Sequence, residues 1–169
     1  MTTGTTAAAT GQGAAEPFRA VAGSREVWWI DGRVDVKLTG AESGGHLGMW
    51  LWTAERGAAS PRHVHHRDDE QFLLLDGEAR FFVGERVLEA RAGDLVFLPH
   101  GIPHAYLITS PQARAVGTVT PGGFEGFFIE LGTPWRPGSP APPPPSIEAF
   151  ARAGERYGFD ILGPPPELD

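Results

Sequence analysis

Cysteine is absent from this sequence, and its absence limits the chemistry that the chain can support. Disulfide bonds and thiolate metal ligands are excluded, so any metal site has to be built from histidine and carboxylate side chains. Long apolar runs are also missing, since none approaches the roughly 18 residues of a membrane-spanning helix. The N-terminus lacks the basic region and apolar core of a secretory signal, and a soluble, cytoplasmic protein is therefore expected.

Positive charge is scarce, with 14 lysine and arginine residues against 21 aspartate and glutamate residues and a net charge of −7. Nucleic acids and anionic membranes attract basic surfaces, so neither is expected as a partner. Glycine and proline are plentiful instead, at 23 and 16 of 169 residues. This composition favours one domain of many short strands joined by turns, with some unstructured sequence.

Three segments of the chain differ in composition. Residues 1–15 hold almost only threonine, alanine and glycine, which predicts a disordered tail. Residues 16–133 contain about ten short β-type runs at regular spacing, which predict an all-β barrel or double-sheet jelly roll. Residues 134–169 begin with a proline-rich strap that should not join a sheet. A short C-terminal helix is expected to follow the strap, with Ser146 as its cap.

Turn signals and apolar runs suggest where individual elements lie. Asp31-Gly32 separates two β-rich runs and predicts a hairpin. Residues 46–54 carry large side chains on both faces and predict the next strand. The last strand of the barrel is expected over residues 125–131, and the helix over residues 147–157.

A pair of histidines suggests a metal site. His63 and His65 stand two residues apart, and alternate residues of a strand share one face at about 6.6 Å along the backbone. Two such imidazoles can bind one metal ion at about 2.0–2.1 Å. Glu70 follows a polar, turn-like run and opens an apolar, strand-like one, so its carboxylate can fold back towards the pair. His104, just after a turn, could complete a site of three nitrogens and one oxygen.

The spacing around these four residues resembles the two sequence motifs of the cupin superfamily. The first is matched by Gly57-x5-His63-x-His65-x4-Glu70-x6-Gly77, and the second by Gly93-x5-Pro99-x-Gly101-x2-His104. One position departs from the pattern, because Ile108 stands where the second motif usually ends in asparagine. The resemblance implies a cupin-type β-barrel, or double-stranded jelly roll, and the four residues as ligands of one metal ion.

The same resemblance implies one divalent transition metal per chain. Three imidazoles and a carboxylate suit Fe, Ni, Mn, Co, Cu or Zn, and the sequence does not decide among them. Four protein ligands leave a position open for substrate only if the ion is five- or six-coordinate. This favours iron, nickel or manganese over tetrahedral zinc.

Period-two alternation predicts the walls of a substrate pocket. If Glu70 points into the barrel, Phe72 and Leu74 on the same strand point inward as well. Tyr106 and Ile108 should face inward on the later strand that begins at the third histidine. An aromatic-rich cavity beside one metal ion suits a flat, hydrophobic substrate that carries oxygen.

Among cupins, the chain resembles the single-domain proteins similar to quercetin 2,3-dioxygenase, and residues 121–132 and 157–165 share in this resemblance. It implies a metal-dependent dioxygenase that acts on a flavonol or a related aromatic or enol substrate with dioxygen. Glu70 would be a ligand and the catalytic proton acceptor. Two alternatives remain open, since one barrel hosts many chemistries. They are a non-redox metal-dependent polyketide cyclase or isomerase, and a small-molecule-binding cupin without catalysis.

The remaining histidines and two tryptophans carry further expectations. His46 is expected in a strand, with no role assigned. His66 has the wrong parity to join the histidine pair and His100 lies in a turn, so neither is expected to be a ligand. Trp28 and Trp29, with the C-terminal tail, offer apolar surface beyond the need of one barrel, which predicts a homodimer.

Overall fold

The computed structural model describes residues 16–30 and 32–168. The predicted disordered tail, residues 1–15, lies outside the described residues, as does Asp31 of the predicted hairpin turn. In the part of the chain that is described, no helix is long and apolar enough to cross a membrane. The cytoplasmic location stays a prediction.

Short strands dominate the described chain, with two helices near its C-terminal end. The first six strands are β1 Glu26–Trp29, β2 Gly32–Leu38, β3 Gly48–Glu55, β4 Arg62–His65, β5 Asp69–Asp76 and β6 Glu78–Val83. The next four are β7 Arg86–Arg91, β8 Leu95–Leu98, β9 His104–Ile108 and β10 Gln112–Thr120. They are followed by helix α1 Gly126–Leu131, strand β11 Thr133–Pro134, helix α2 Ile147–Tyr157 and strand β12 Phe159–Gly163.

Two antiparallel sheets enclose the core. One has the strand order β11-β1-β2-β3-β10-β5-β8, and the other has the order β12-β4-β9-β6-β7. Their inner faces share one aromatic core, in which the rings of Phe72 on β5 and Phe81 on β6 lie 5.5 Å apart between centroids. The predicted all-β jelly roll with a short C-terminal helix is confirmed.

Alternation along β3 directs large side chains inward and demands a small residue opposite them. Trp50 and Trp52 are buried, while Met49 before them and Leu51 between them are partly exposed. Gly117 on β10 pairs with Trp50, and a Cβ atom at that position would lie 2.2 Å from the indole ring. Glycine is therefore the residue that leaves room for this tryptophan.

We expect Gly117→Ala to lower the free energy of unfolding by about 1–3 kcal/mol, because the added methyl group overpacks the core against Trp50. Urea unfolding followed by circular dichroism measures the change. Gly163→Ala is the matched control, since the nearest atom to a Cβ there is 3.9 Å away. Equal stability of the two variants would contradict this packing argument.

The strand predicted over residues 125–131 is wrong, because this segment forms helix α1. Phe124, Phe127 and Phe128 are spaced as neighbours on one helical face, and all three are buried. Phe127 and Phe128 contact Trp29, whose ring centroid lies 4.6 Å from that of Phe127 and 5.4 Å from that of Phe128. Packing of this face on the barrel favours the helix.

The proline-rich strap joins a sheet at its first residue, contrary to expectation. Pro134 of β11 pairs with Val27 of β1. Because β11 is the outermost strand of its sheet, a proline there costs no hydrogen bond inside the sheet.

Helix α2 has the predicted bounds. The Ser146 side chain accepts a hydrogen bond from the Ala149 N–H at 3.2 Å and caps the helix. Gly154 looks unfavourable in a helix, yet a Cβ atom there would lie 2.7 Å from the carbonyl oxygen of Phe159. The glycine thus lets β12 return closely along the helix.

The C-terminal tail docks on the barrel through strand β12. In the antiparallel pairing with β4, Phe159 stands opposite His65 and Ile161 stands opposite His63. The tail therefore supports the strand that carries the histidine pair. Its backbone occupies one edge of the smaller sheet.

The homodimer stays a prediction, and the surfaces on which it was based are engaged within the chain. Trp29 is buried against α1, and the Trp28 indole N–H donates to the Ser139 hydroxyl at 2.9 Å. Sedimentation velocity at micromolar concentrations decides the question. A species with the mass of one chain would contradict the dimer.

Candidate metal centre

Three strands bring together the four residues predicted as metal ligands. Strand β4 carries His63 and His65, and β9 begins at His104, which pairs with His63 across the two strands. Glu70 comes from β5 in the opposite sheet. One potential ligand atom from each of the four residues lies within 4.8 Å of the other three. The cluster therefore sits inside the barrel, between the sheets.

Backbone carbonyl groups orient two of the imidazoles. His63 Nδ1 lies 2.7 Å from the Pro61 carbonyl oxygen, and His104 Nδ1 lies 2.9 Å from that of Ile102. A carbonyl can only accept, so each Nδ1 carries the proton and each Nε2 keeps a free lone pair. The Nε2 of His104 is 3.4 Å from a Glu70 carboxylate oxygen. These two lone pairs are thus available to a metal ion.

Several buried nitrogens of the cluster have no hydrogen-bond partner among the described residues. They are His65 Nδ1, His65 Nε2 and His104 Nε2. Leaving such a polar atom buried and unpaired costs about 1–3 kcal/mol. Ligands bound at about 2.0–2.1 Å to a common ion stand at most about 4.2 Å apart, so the present spacing needs only small side-chain adjustments. The residues fit a metal ion.

The electrostatics of the cluster favour the forms that bind a cation. Burial, together with the His104 and His65 imidazoles, lowers the pKa of His63 to about 3. Burial alone would raise the pKa of Glu70, but the facing His104 and the other two histidines outweigh it, and that pKa lies below its ordinary value. At neutral pH, His63 is neutral and Glu70 is ionised, as metal ligation requires.

We expect the metal-free protein to lose stability as the pH falls from about 6.5 towards 3. In the unfolded chain His63 takes up a proton near pH 6.5, whereas in the folded chain it does so only near pH 3. The unfolded state binds more protons throughout this window, so acid favours unfolding. Urea titrations at several pH values give the free energy of unfolding as a function of pH. This free energy should depend less on pH in His63→Gln than in the wild type. Parallel profiles for the two proteins would refute the shift.

The other three histidines do not belong to the cluster. His46 is exposed in a bend before β3, so its predicted place in a strand is wrong. The His66 ring points outward, with Nε2 3.0 Å from an Asp160 carboxylate oxygen. His100 is exposed too, and its Nδ1 lies 2.7 Å from an Asp69 oxygen.

A cavity of about 60 Å³ adjoins His63 and Glu70. Phe72 and Tyr106 line it, as the alternation predicts. Leu74 and Ile108 are buried as well, outside the lining of this cavity, and their place in a substrate pocket stays a prediction. Leu74 stands four residues after Glu70, and Ile108 stands four residues after His104. The two lining residues, Phe72 and Tyr106, stand only two residues after these predicted ligands. Leu74 and Ile108 therefore lie farther from the cluster along their strands.

Most of the cavity wall was not predicted from the sequence. Trp50 and Trp52 line it from β3, and their period-two spacing was a signal that could have identified them. Trp29 lines it from β1. Phe150 of α2 and Phe159 of β12 complete the wall through contacts distant in sequence, which no local pattern reveals.

Comparison with known proteins matches the central part of the chain to a described family. Residues 50–120 match a family model for the cupin domain. The matched region runs from within β3 to the end of β10 and therefore includes all four residues of the cluster.

Two curated relatives are quercetin 2,3-dioxygenases. The one from Bacillus subtilis (strain 168) is 29% identical over 91 residues, which cover 52% of this chain and 27% of the relative. The one from Aspergillus japonicus is 30% identical over 76 residues, which cover 42% of this chain and 22% of the relative. The matching region thus spans only about a quarter of either relative.

Solved structures share the fold at low sequence identity. KdgF from Halomonas sp. superposes with a TM-score of 0.57 at 14% identity, covering 64% of this chain and 99% of that protein. The cupin domain of Cnp3 from Schizosaccharomyces pombe superposes with a TM-score of 0.51 at 12% identity, covering 59% and 71%. At these identities the likeness concerns the fold alone.

Proposed function

We propose that this chain, whose residues 50–120 match a family model for the cupin domain, is a metal-dependent dioxygenase acting on a flavonol or a related aromatic or enol substrate. One observation carries the proposal: a buried cluster of three histidines and a glutamate that adjoins an aromatic cavity. Similarity to two quercetin 2,3-dioxygenases supports the substrate class, over about a quarter of their length.

The cofactor in this proposal is one divalent transition metal held by His63, His65, Glu70 and His104. The donor set suits Fe, Ni, Mn, Co, Cu or Zn. When bound, such an ion supplies Lewis acidity that favours the deprotonated form of a phenolic or enolic hydroxyl group.

Glu70 is the group placed to accept the proton of that hydroxyl. Its carboxylate borders the cavity, and its lowered pKa keeps it ionised at neutral pH. One of its oxygens is 3.4 Å from His104 Nε2, within the cluster. A carboxylate held in this way beside an acidic enol hydroxyl can exchange a proton with it.

The aromatic wall orients a flat substrate and excludes water. Trp52 and Tyr106 meet edge to face, with ring centroids 4.5 Å apart, and Phe72 lies within 6.1 Å of Tyr106. Rings in these positions present apolar faces and edges to an aromatic ligand. Of the four residues in the cluster, His63 and Glu70 line this cavity and can meet a polar group of the substrate.

Flavonol binding requires the cavity to enlarge. Pockets for ligands of this size usually measure about 300–1,000 Å³, whereas the present cavity measures about 60 Å³. The wall includes Phe150 of α2 and Phe159 and Ile161 of β12, all from the segment that follows the proline-rich strap. We propose that this segment moves outward when a flavonol enters. A smaller enol needs less movement.

Oxygen uptake by metal-loaded protein, measured with flavonols and smaller phenols and enols, tests the proposal. The expected result is dioxygen consumption with release of carbon monoxide from a flavonol, and loss of both after chelation. Conversion of a polyketide phenol without dioxygen would support the cyclase or isomerase instead. Binding of the ligands without any conversion would leave a small-molecule-binding protein.

A further inference from the structure

Asp68 is a buried carboxylate that the proposed chemistry does not use. It lies between β4 and β5, three residues after His65, and only 3% of its surface is exposed. Its Oδ2 atom has no hydrogen-bond partner among the described residues. The facing group is His65 Nδ1, which is 3.8 Å away and is itself buried without a partner. Two complementary polar groups thus face each other.

The neighbours of Asp68 behave differently. The Arg67 side chain is exposed and donates to the Tyr157 carbonyl oxygen at 3.0 Å. The Asp69 carboxylate accepts hydrogen bonds from the backbone N–H and the ring of His100. Within this short polar run, Asp68 is the residue whose carboxylate turns towards the histidine cluster.

His65 also differs from the other two histidines of the cluster. His63 and His104 each donate Nδ1–H to a backbone carbonyl oxygen, whereas the Nδ1 of His65 lacks such a partner. In a metal-binding histidine, the ring nitrogen that does not bind the metal usually donates its N–H to a carbonyl or a carboxylate. This hydrogen bond fixes the ring and makes the metal-binding nitrogen more basic. For His65, the carboxylate in position to do this is that of Asp68.

We propose that Asp68 is a positioning residue that orients His65 for metal binding. Its carboxylate accepts the Nδ1–H of His65 when the ion binds, which directs Nε2 towards the other ligands. Closing the gap from 3.8 Å to a charge-assisted hydrogen bond of about 2.8 Å requires a movement of about 1 Å. The inference rests on the proposed metal site and not on turnover of any substrate.

Cobalt affinity of three variants, measured by competition with a chelator, tests this role. Asp68→Ala removes the acceptor and should weaken Co²⁺ binding about 10–100-fold. Asp68→Asn keeps an acceptor oxygen without the charge, so its loss should be smaller. Asp160→Asn is the matched control, because that carboxylate is exposed and pairs with His66, outside the cluster. Its affinity should equal that of the wild type.

Proton NMR of the Co²⁺-loaded proteins provides a readout that a merely structural role would not change. Each ligand histidine contributes one exchangeable Nδ1–H signal, and Asp68→Ala should shift or broaden one of the three. Unfolding of the metal-free proteins provides the stability control. Loss of affinity that only parallels loss of stability, with the signals unchanged, would overturn the proposal.

The remaining outcomes separate this inference from the metal site itself. Wild-type affinity and three unchanged signals in both Asp68 variants would overturn the role of Asp68 and leave the metal site standing. Failure of the wild-type protein to bind Co²⁺ would overturn both. Substrate turnover enters neither measurement.

Discussion

The double variant His63→Ala/His65→Ala will retain almost no transition metal, whereas the wild-type protein will hold close to one ion per chain. The two imidazoles supply half of the four donors in the cluster, and both come from strand β4. The remaining His104 and Glu70 lie on different sheets and cannot form a comparable chelate by themselves. Elemental analysis after dialysis measures the metal content.

A second double variant provides the control for this experiment. His66→Ala/His100→Ala removes the same number of imidazoles from exposed positions outside the cluster, so full occupancy is expected. His65 is fully buried and packs on Phe124, with ring centroids 4.4 Å apart, so its loss also leaves a void. Circular dichroism must therefore show that the first variant is folded. Full metal content in a folded His63→Ala/His65→Ala protein would show that the site has been misplaced.

Strand periodicity predicted part of the cluster, and the spacing of the two motifs predicted the full set. His63 and His65 share a face through strand periodicity, and the same periodicity directs Glu70 and Phe72 inward on β5. The fourth residue, His104, follows a turn that a short glycine- and proline-containing segment marks. The structure brings all four together, as the motif spacing implied.

The parts that could not be predicted depend on contacts between distant segments. The short apolar run predicts a strand where helix α1 forms, although the spacing of its phenylalanines favours a helix. Pro134 pairs with β1 only because that sheet edge is free to receive it. Asp68 belongs to a polar, turn-like run, and no local pattern predicts its burial beside His65.

Glu70→Gln will separate a catalytic glutamate from one that is only a ligand. Glutamine keeps the shape and one oxygen donor but loses the charge and the capacity to accept a proton. Weaker metal binding is expected in either case, so the variant has to be compared with wild type at matched, saturating metal. Substrate binding can be followed through the fluorescence of Trp29, Trp50 and Trp52, which line the cavity.

At matched metal content, the Glu70→Gln protein should still bind its phenolic substrate but turn over at least about a hundredfold more slowly, because proton transfer contributes about 10²–10⁴-fold to rates of this kind. The loss should appear in kcat rather than in KM, since the missing interaction belongs to the transition state. Because its pKa is lowered, Glu70 is ionised at neutral pH and able to accept this proton. An unchanged kcat in the fully loaded variant would reduce Glu70 to a ligand and assign the proton to another group.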